Sequence, residues 1–204
     1  MSDKEFQVNQ SLLETFFASV FGLQVNLAGL TFPNLPAGRV SLVKPEELSL
    51  QETHEKVSKH FEVIPGSWLK LEEGNLRLSC HQSRPPGTYV FSYRDRQFTD
   101  EEYRGMSQEE AAKVGLSFMT IQEYLLATAF NRFVHNEFLD LYTETILAEC
   151  WWYGGVSAGM VYGFHQHRGR NPEGHDPEGY DGLCLFNGPP EAKSKSCGPR
   201  EVFL

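Results

Sequence analysis

The chain has 204 residues, of which 40% are apolar and 22% charged, as is ordinary for one globular domain or one domain with a small appendage. The formal net charge of −9 argues against a function that depends on neutralising nucleic-acid phosphates. Because no apolar run approaches the about 18 residues of a membrane span and Met1–Glu5 is polar, we expect no nucleic-acid partner, no membrane span and no Sec export. The protein is expected to be cytoplasmic, associated with a virion, or displayed by a route other than Sec.

The first predicted element is an amphipathic helix over residues 9–23. Ser11 and Glu14 have the spacing of a capping box, and Gly22 marks a stop. The apolar residues that recur there at helical spacing are Leu12, Leu13, Phe16, Phe17, Val20 and Phe21. Residues 31–47 are predicted to be a connector, because proline stands at positions 33, 36 and 45.

A second helix is predicted to begin at Ser49 and to turn inward the residues Leu50, Val57 and Phe61. Trp68–Leu71 and Leu76–Cys80 alternate around a Gly-Asn turn and predict a hairpin. A turn at 85–87 and a strand over Thr88–Tyr93 follow, since this strand is rich in β-branched and aromatic residues.

The middle of the chain is predicted to be helical. Ser107 and Glu110 cap a short helix that ends near Gly115. Thr120 and Glu123 cap a longer helix that runs to about Phe138. Its apolar stripe consists of Ile121, Tyr124, Leu125, Phe133 and Val134.

The composition changes near residue 143, where Thr145–Ala148 predicts a strand. From Trp151 onward lie ten of the eighteen glycines and five of the eleven prolines. Short strands are predicted at Val161–Phe164, Leu183–Phe186 and Glu201–Leu204, joined by long loops. Long loops in a compact domain are usually functional or disordered, and disordered segments are poor in aromatics. Because these loops are rich in Trp and Tyr, the sequence predicts an ordered surface built from loops.

Several segments occur in a characteristic order. They are Phe32–Pro36 (FPNLP), Gly87–Arg94 (GTYVFSYR), Asp100–Glu102 (DEE), Met119–Leu126 (MTIQEYLL), Phe138–Asp140 (FLD) and Cys197–Leu204 (CGPREVFL). Together they resemble the variable, or target, proteins of diversity-generating retroelements from uncultivated archaea and bacteria and their viruses. The resemblance extends over residues 31–204. The family pattern is not followed at 150–154, at 168–182, which looks like an insertion, or at 183–187.

The resemblance implies an α+β, C-type-lectin-like (formylglycine-generating-enzyme-like) domain with small antiparallel sheets, helices and a loop-rich C-terminal ligand-binding face. The expected organisation is a single domain over 1–204. It comprises an N-terminal helix and connector (1–45), a scaffold (46–150) and a variable region (151–204). In such systems reverse transcription miscopies template adenines into the gene, which changes exposed positions that recognise a protein or cell-surface ligand. No enzymatic activity is expected.

The composition of residues 151–195 independently favours a binding surface. Tyr and Trp bring a large contact area at a small entropic cost, while Gly, Ser and Asn bring adaptable hydrogen bonding. The alternative, that Trp151, Trp152 and Phe186 are core residues, stays equally open. The glycines at 154, 155, 159 and 163 are expected to let the backbone turn without regular structure. The candidate ligand-binding residues are Trp151, Trp152, Tyr153, Tyr162, His165, His167, Asn187, Lys193 and Lys195.

Tyr153, Tyr162, His165, His167 and Asn187 are the strongest surface candidates. They alternate with apolar residues of the predicted strands, and alternation directs successive side chains to opposite faces. The two lysines at 193 and 195 join them as surface candidates. The sequence thus predicts that these residues point outward together.

Metal binding is an alternative that the residues leave open. His165 and His167, with His175, Asp176 or Cys184, are possible zinc ligands, but no CxxC or HExxH partner accompanies them. In the acidic loop 171–182, the oxygen ligands that suit calcium are Asp176, Glu178 and Asp181, without EF-hand spacing. We therefore expect no cofactor, with calcium as the alternative.

The four cysteines are widely spaced at positions 80, 150, 184 and 197 and are expected to be free buried thiols. Pairing of Cys150 or Cys184 with Cys197 stays open. Two other functions also stay open. One is an enzyme of the same fold that uses metal or thiol chemistry around His165, His167 and Cys184. The other is a viral structural or attachment protein without diversification.

Overall fold

The computed structural model describes residues 9–61, 76–78, 83–95, 100–139, 144–153, 156–166, 181–188, 197–199 and 201–204. It has the mixed α+β architecture that the sequence predicted. The helices are α1 (Gln10–Phe16, continued by a π-helical turn at Phe17–Phe21), α2 (Leu50–Phe61), α3 (Gln108–Lys113) and α4 (Ile121–His135). The strands are β1 (Arg39–Lys44), β2 (Leu76–Leu78), β3 (Tyr89–Arg94), β4 (Glu144–Tyr153), β5 (Val156–Gln166), β6 (Asp181–Gly188) and β7 (Cys197–Pro199).

Two of the three predicted capping boxes are confirmed. The Ser107 hydroxyl accepts the Glu110 N–H while the Glu110 carboxylate accepts the Ser107 N–H, and Thr120 and Glu123 make the same exchange. The end of α4 lies earlier than predicted. Asn136 adopts a left-handed conformation with φ of 59° directly after His135, which terminates the helix before Phe138.

The first helix ends as predicted and begins with a different cap. Gly22, with φ of 65°, follows the π-helical turn. The Asn9 side chain, rather than Ser11, accepts the Leu12 N–H at 2.9 Å. Asn at the N-cap is as effective as Ser, so the helix begins where the first suitable acceptor stands.

The predicted connector 31–47 is wrong for its second half, which contains β1. This strand pairs antiparallel with β3, with Val40 opposite Tyr93 and Leu42 opposite Phe91. The prolines at 36 and 45 flank the strand instead of interrupting it, so every N–H that the pairing needs is retained. In β3 itself, the prediction of a strand over Thr88–Tyr93 is confirmed within one residue.

The main core surrounds α4, which packs against α1, α2 and the β1–β3 pair. Most of α4 is buried, and the Phe130 ring meets the Phe16 ring edge-on at 5.1 Å. Val57 of α2 is fully buried, as expected, while Leu50 and Phe61 are half-buried against the same core. A second, smaller cluster lies beneath the start of β4 and comprises Ala111, Phe118, Ile146 and Ala148.

The second sheet has the strand order β2-β4-β5-β6, and β7 pairs with β4. Leu76–Leu78 lies next to β4, while the other parts of the predicted hairpin, Trp68–Leu71 and Ser79–Cys80, lie outside the described residues. The predicted strand Glu201–Leu204 is instead two isolated bridges, Glu201 to Phe118 and Phe203 to Ser92.

The prediction of long loops after residue 151 is wrong where the strands are described. β4 continues to Tyr153, β5 covers Val156–Gln166, and β6 covers Asp181–Gly188. Gly159 and Gly163, expected to break regular structure, lie inside β5 opposite Gly188 and Cys184. Antiparallel pairing satisfies the backbone hydrogen bonds, which outweighs the about 0.5–1 kcal/mol that glycine costs in a strand.

One buried carboxylate joins several elements of the scaffold. Glu123, at the N-terminus of α4, is fully buried. It accepts hydrogen bonds from Arg84 Nε at 2.7 Å, Arg84 Nη2 at 2.9 Å and the Tyr89 hydroxyl at 3.0 Å. The same carboxylate also accepts the Thr120 N–H in the capping box of α4. This single side chain therefore ties α4 to β3 and to the segment that precedes β3.

Replacing Glu123 with Gln is expected to lower the free energy of unfolding by about 3 kcal/mol, because it removes the fully buried charge that accepts two hydrogen bonds from the largely buried Arg84 guanidinium. Glu110→Gln is the matched control, since Glu110 holds the equivalent place in the α3 capping box and should lose about 1 kcal/mol. Urea unfolding of both variants measures the difference. Equal losses would show that the ion pair adds nothing beyond the cap.

Candidate ligand-binding face

The C-terminal part of the second sheet, from β4 to β7, begins and ends at one place. β7 lies parallel beside the start of β4, with Glu144 opposite Cys197, Thr145 opposite Gly198 and Ile146 opposite Pro199. β4 also continues past this point to Tyr153 and pairs there with β5. The whole segment 147–196 is therefore an excursion whose two ends are held in neighbouring strands.

The start of β4 is fixed to the scaffold by two hydrogen bonds. The Ala148 N–H donates to the Met119 carbonyl at 2.8 Å, and Gln108 Nε2 donates to the Leu147 carbonyl at 2.8 Å. Leu147 belongs to the main core, whereas Ile146 belongs to the smaller cluster. Both faces of β4 are therefore packed at this end.

The segment after β7 is fixed to the same scaffold. The Val202 N–H donates to the Ser117 carbonyl at 2.8 Å, and Phe203 exchanges backbone hydrogen bonds of 2.8 and 2.9 Å with Ser92 of β3. The Arg39 guanidinium lies 3.6 Å from the centre of the Phe203 ring. The chain thus returns from the excursion onto the β1–β3 pair.

A group of charged side chains, the closing cluster (Arg94, Asp100, Glu102 and Glu201), supports this return. The Glu201 N–H donates to Asp100 Oδ2 at 2.9 Å, and Asp100 is fully buried. Arg94 donates to Glu102 and to Glu201 Oε2, the latter at 3.2 Å, and its Nη1 lies 3.8 Å from Asp100 Oδ1. Three carboxylates thus converge on one guanidinium.

Burial and the neighbouring charges shift the pKa values of two members of the closing cluster, Arg94 and Glu201. Burial acts to lower the pKa of Arg94, but Glu102, Asp100 and Glu201 together raise that pKa above its ordinary value. Burial raises the pKa of Glu201; Arg94 opposes this rise, and Asp100 adds to it. The ionised Glu201 carboxylate is thus less favoured in the folded protein than in water.

The backbone register places the predicted binding residues on strands. Trp151, Trp152 and Tyr153 stand in β4 opposite residues 158, 157 and 156 of β5. Tyr162 of β5 stands between Thr145 of β4 and Leu185 of β6. His165 lies opposite Gly182, and Asn187 lies opposite Met160.

These positions divide between the two faces of the sheet. Directly opposed residues share a face, and successive residues of one strand alternate. One face, the Tyr153 face, therefore carries Trp151, Tyr153, Tyr162 and Asn187. The opposite face, the His165 face, carries Trp152 and His165. The register does not bring Tyr162 and His165 together, although the sequence predicted that they point outward together.

Position along the sheet also separates the candidates. Tyr162 is in the row of Thr145, which is fully buried at the scaffold end of β4. Tyr153 lies opposite Val156, six residues along β5 from Tyr162 and about 20 Å away along that strand, because the β4–β5 pairing shifts register between Ile146 and Cys150. Tyr153 is thus the candidate most distant from the packed scaffold.

The remaining candidates are not placed. His167, Lys193 and Lys195 lie outside the described residues, as do the calcium candidates Asp176 and Glu178 and the zinc candidate His175. Asp181 opens β6 opposite Gln166. In the part of the chain that the structure describes, no group of three or more His, Cys, Asp or Glu side chains is arranged to hold a metal ion.

The register separates three of the cysteines. Cys197 lies beside Glu144, and continuing the β4–β5 pairing by one residue places Cys184 in the same row, three strand spacings away, about 14 Å. Cys150 stands opposite Gly159, four residues along β5 from the position opposite Cys184. A disulfide needs Cα atoms within about 7 Å. The pairings left open by the sequence, Cys150 or Cys184 with Cys197, therefore do not fit this sheet.

An open groove of about 380 Å³ lies where α2 and α4 end, lined by His60, Phe61, Arg132, Phe133 and Asn136. The Arg132 guanidinium already lies 4.8 Å from the centre of the Phe138 ring and donates to the Asn136 carbonyl. Its charge is thus engaged within the protein. We assign no ligand to this groove.

Comparisons of the chain with protein-family models, with curated proteins and with solved structures gave no match. None of the helices within the described ranges is long and apolar enough to cross a membrane.

Sequence reasoning did not find the groups that support the sheet. Arg94 ends the YVFSYR segment and Asp100 begins the DEE segment, so both residues lie in segments on which the family resemblance rests. Their convergence on Glu201 joins positions 101 residues apart in the chain. The burial of Asp100 and its position beside Arg94 are known only from the structure, so the spacing of these residues in the sequence gave no signal of the contact.

Glu201→Gln is expected to gain stability relative to the unaltered protein as pH rises from about 4 to 7. A folded-state pKa above the unfolded value means that stability is present below the unfolded pKa and lost as pH rises through the folded pKa. The Gln variant has no carboxylate at position 201, so it does not lose this stability as the pH rises. Melting temperatures of both proteins at each pH measure the trend.

The control for this series is Glu101→Gln. The Glu101 side chain is 74% exposed and lies 3.9 Å from Arg104, so its charge should contribute little to stability. Its difference from the unaltered protein should stay nearly constant over the same range. A Glu201→Gln difference that is equally constant would contradict the raised pKa.

Proposed function

We propose that the protein is a ligand-binding protein whose C-terminal region is diversified by a retroelement. Side chains of the variable region, 151–204, recognise a protein or a cell-surface ligand. On this proposal the chain is not an enzyme and needs no cofactor. The observation that carries the proposal is the excursion 147–196, which is held at both ends in neighbouring strands of the second sheet, β4 and β7.

The anchoring supports diversification for a physical reason. Substitutions at exposed positions away from packed or bonded groups usually change stability by less than about 0.5 kcal/mol. At the fixed end of the excursion, Thr145–Ala148 is buried and bonded to Met119 and Gln108. Stability thus resides in the scaffold end, which leaves the distant end free to vary.

We further propose a C-type-lectin-like fold. In its support, β3 is followed by α3 and α4, then by the antiparallel strands β4, β5 and β6, and then by a return in which Phe203 bridges to Ser92 of β3. This order follows the segments on which the resemblance rests. The coarser α+β architecture does not depend on this proposal.

The Tyr153 face is the proposed recognition surface. It carries two aromatic residues at the far end of β4, Trp151 and Tyr153, and Asn187 on β6. Rigid aromatics with adaptable amides are the mixture that binding surfaces use. An asparagine codon is also rich in adenine, the base at which template copying is altered in the family that the sequence resembles.

Sequencing the DNA beside the gene tests the proposal. We expect a reverse-transcriptase gene and a near-copy of the coding sequence for 151–204, with mismatches confined to template adenines. Within β4, β5 and β6, the altered codons should fall at alternate positions that include Tyr153 and Asn187. Absence of both the enzyme gene and the near-copy would contradict retroelement diversification.

Tyr153→Ala and Asn187→Ala are expected to change the free energy of unfolding by less than about 0.5 kcal/mol each, as positions of a variable surface should. Leu147→Ala, at a fully buried position of the same strand β4, is the control and should lose about 2–5 kcal/mol. Thermal or urea unfolding compares the three. A loss at Tyr153 or Asn187 as large as that at Leu147 would assign the residue to the core.

A further inference from the structure

The second sheet has two unequal edges. On one side, β4 is paired with β7 at its start and with β2 at its far end. On the other side, the described strand order ends with β6, whose 8 residues pair with β5 without a register shift. Among the described strands, β6 therefore has a neighbour on one side only. An edge strand presents a row of backbone N–H and C=O groups that can pair with another chain.

The sequence of β6 does not discourage such pairing. Natural edge strands are usually protected by short length, lysine, proline or a bulge. β2 follows this rule, since it has 3 residues with Arg77 at its centre. β6 reads DGLCLFNG, without lysine, arginine or proline, and its only charged residue is Asp181 at the first position. In the described part of the second sheet, the edge of β6 is therefore the place where another strand adds most readily.

Pairing of β6 with a copy of itself is limited by the hydrogen-bond pattern. In an antiparallel pair, two opposed residues either exchange both backbone hydrogen bonds or exchange none, and the two kinds alternate along each strand. Two identical edges therefore match only about a twofold axis that passes between one residue and its own copy. With the axis at Cys184, the opposed positions, one from each copy, are Leu183 and Leu185, Gly182 and Phe186, and Asp181 and Asn187.

This register gives each position a suitable partner. Apolar positions stand opposite apolar ones, polar opposite polar, and an aromatic residue opposite glycine, which is a favourable cross-strand combination. A neighbouring axis is worse: at Leu183 it sets Asp181 opposite Leu185, and at Leu185 it sets Leu183 opposite Asn187. The axis at Cys184 also opposes no two like charges. The edge is thus complementary to itself in one register.

We propose that the edge of β6 is an interface at which two copies of this protein join, with Cys184 of each copy at the twofold axis. A twofold interface uses the same surface on both copies, so the assembly closes at two. Directly opposed residues share a face, so the joined sheet carries the Tyr153 faces of both copies on one side. The interface depends on neither diversification nor a ligand, so it can fail while the proposed function stands, and the reverse.

Sedimentation equilibrium of the unaltered protein, without any ligand, is the first test. An interface made by one strand edge is small and therefore weak, so the protein concentration is varied from about 1 to 500 µM. Salt at about 0.15 M screens the repulsion between two copies that each have a net charge of −9. The mass should rise to twice that of one chain. The mass of one chain at every concentration overturns the proposal and leaves the edge to an extended segment of a ligand.

Oxidation of the same samples by diamide locates the axis. Directly opposed residues have Cα atoms about 4.5–5.5 Å apart, within the range that a disulfide spans. Diamide takes up the two thiol hydrogens and two electrons as the S–S bond forms. We expect a covalent dimer in which peptide mass spectrometry finds Cys184 joined to Cys184, while Cys150 remains unlinked between copies. A dimer in solution that gives no such link contradicts the proposed axis.

A charge swap tests the register independently. Asn187→Asp opposes two carboxylates at both ends of the interface and should raise Kd by about 2- to 30-fold. The double variant Asp181→Asn, Asn187→Asp exchanges the same two groups without changing the net charge and should restore the affinity.

Gln24→Asp is the matched control for the added charge, because Gln24 is exposed and lies outside the second sheet. It should leave Kd nearly unchanged. Equal weakening by Gln24→Asp and Asn187→Asp, or no recovery in the double variant, overturns the proposal. If Asn187→Asp does not fold, the mass and the cross-link of the unaltered protein decide the proposal by themselves.

Discussion

The parallel pairing of β7 with the first three residues of β4 is the constraint on which the second half of the molecule depends. It brings Glu144 beside Cys197, so that a long excursion is closed within one strand spacing. Closing a loop costs an entropy that grows only slowly with length, by about 0.6 kcal/mol for each doubling. Once the closure is made, changes of length and sequence inside the excursion add little to that cost. A segment held in this way can differ among copies of a gene while its ends stay in place.

The closure is stable only because each end meets a rigid part of the scaffold. On the entry side, α3 and the segment before α4 hold β4 through Gln108 and Met119. On the return side, Asp100 and Arg94 hold Glu201. The Glu123 carboxylate stabilises α4 itself and connects it to Arg84 and Tyr89. The charged groups in these contacts are largely buried, where removing one partner costs more than the pair contributes when both are present.

Local sequence signals predicted the scaffold better than they predicted the sheets. The capping boxes at Ser107 and Thr120 and the stop at Gly22 are determined within a few residues, so spacing was sufficient to find them. The strand β1 was missed because its neighbouring prolines dominated the pattern. β5 was predicted too short because Gly159 and Gly163 resemble turn signals. In the structure both glycines lie within the strand and pair with β6. Register specifies which residues of two distant strands are paired. It therefore cannot be predicted from the composition or periodicity of one segment.

Register also limits what the proposed variable region, 151–204, can do. In a loop, neighbouring residues can all face one ligand, but a strand sends alternate residues to opposite faces. Tyr162 and His165 are three residues apart and therefore belong to different faces. The register assigns Trp151, Tyr153 and Asn187 to one face of the second sheet and Trp152 and His165 to the other. On the proposed function, codon changes confined to alternate positions would alter recognition on one face and leave the other face intact. The strand period, rather than the composition of the region, thus determines which residues can vary together.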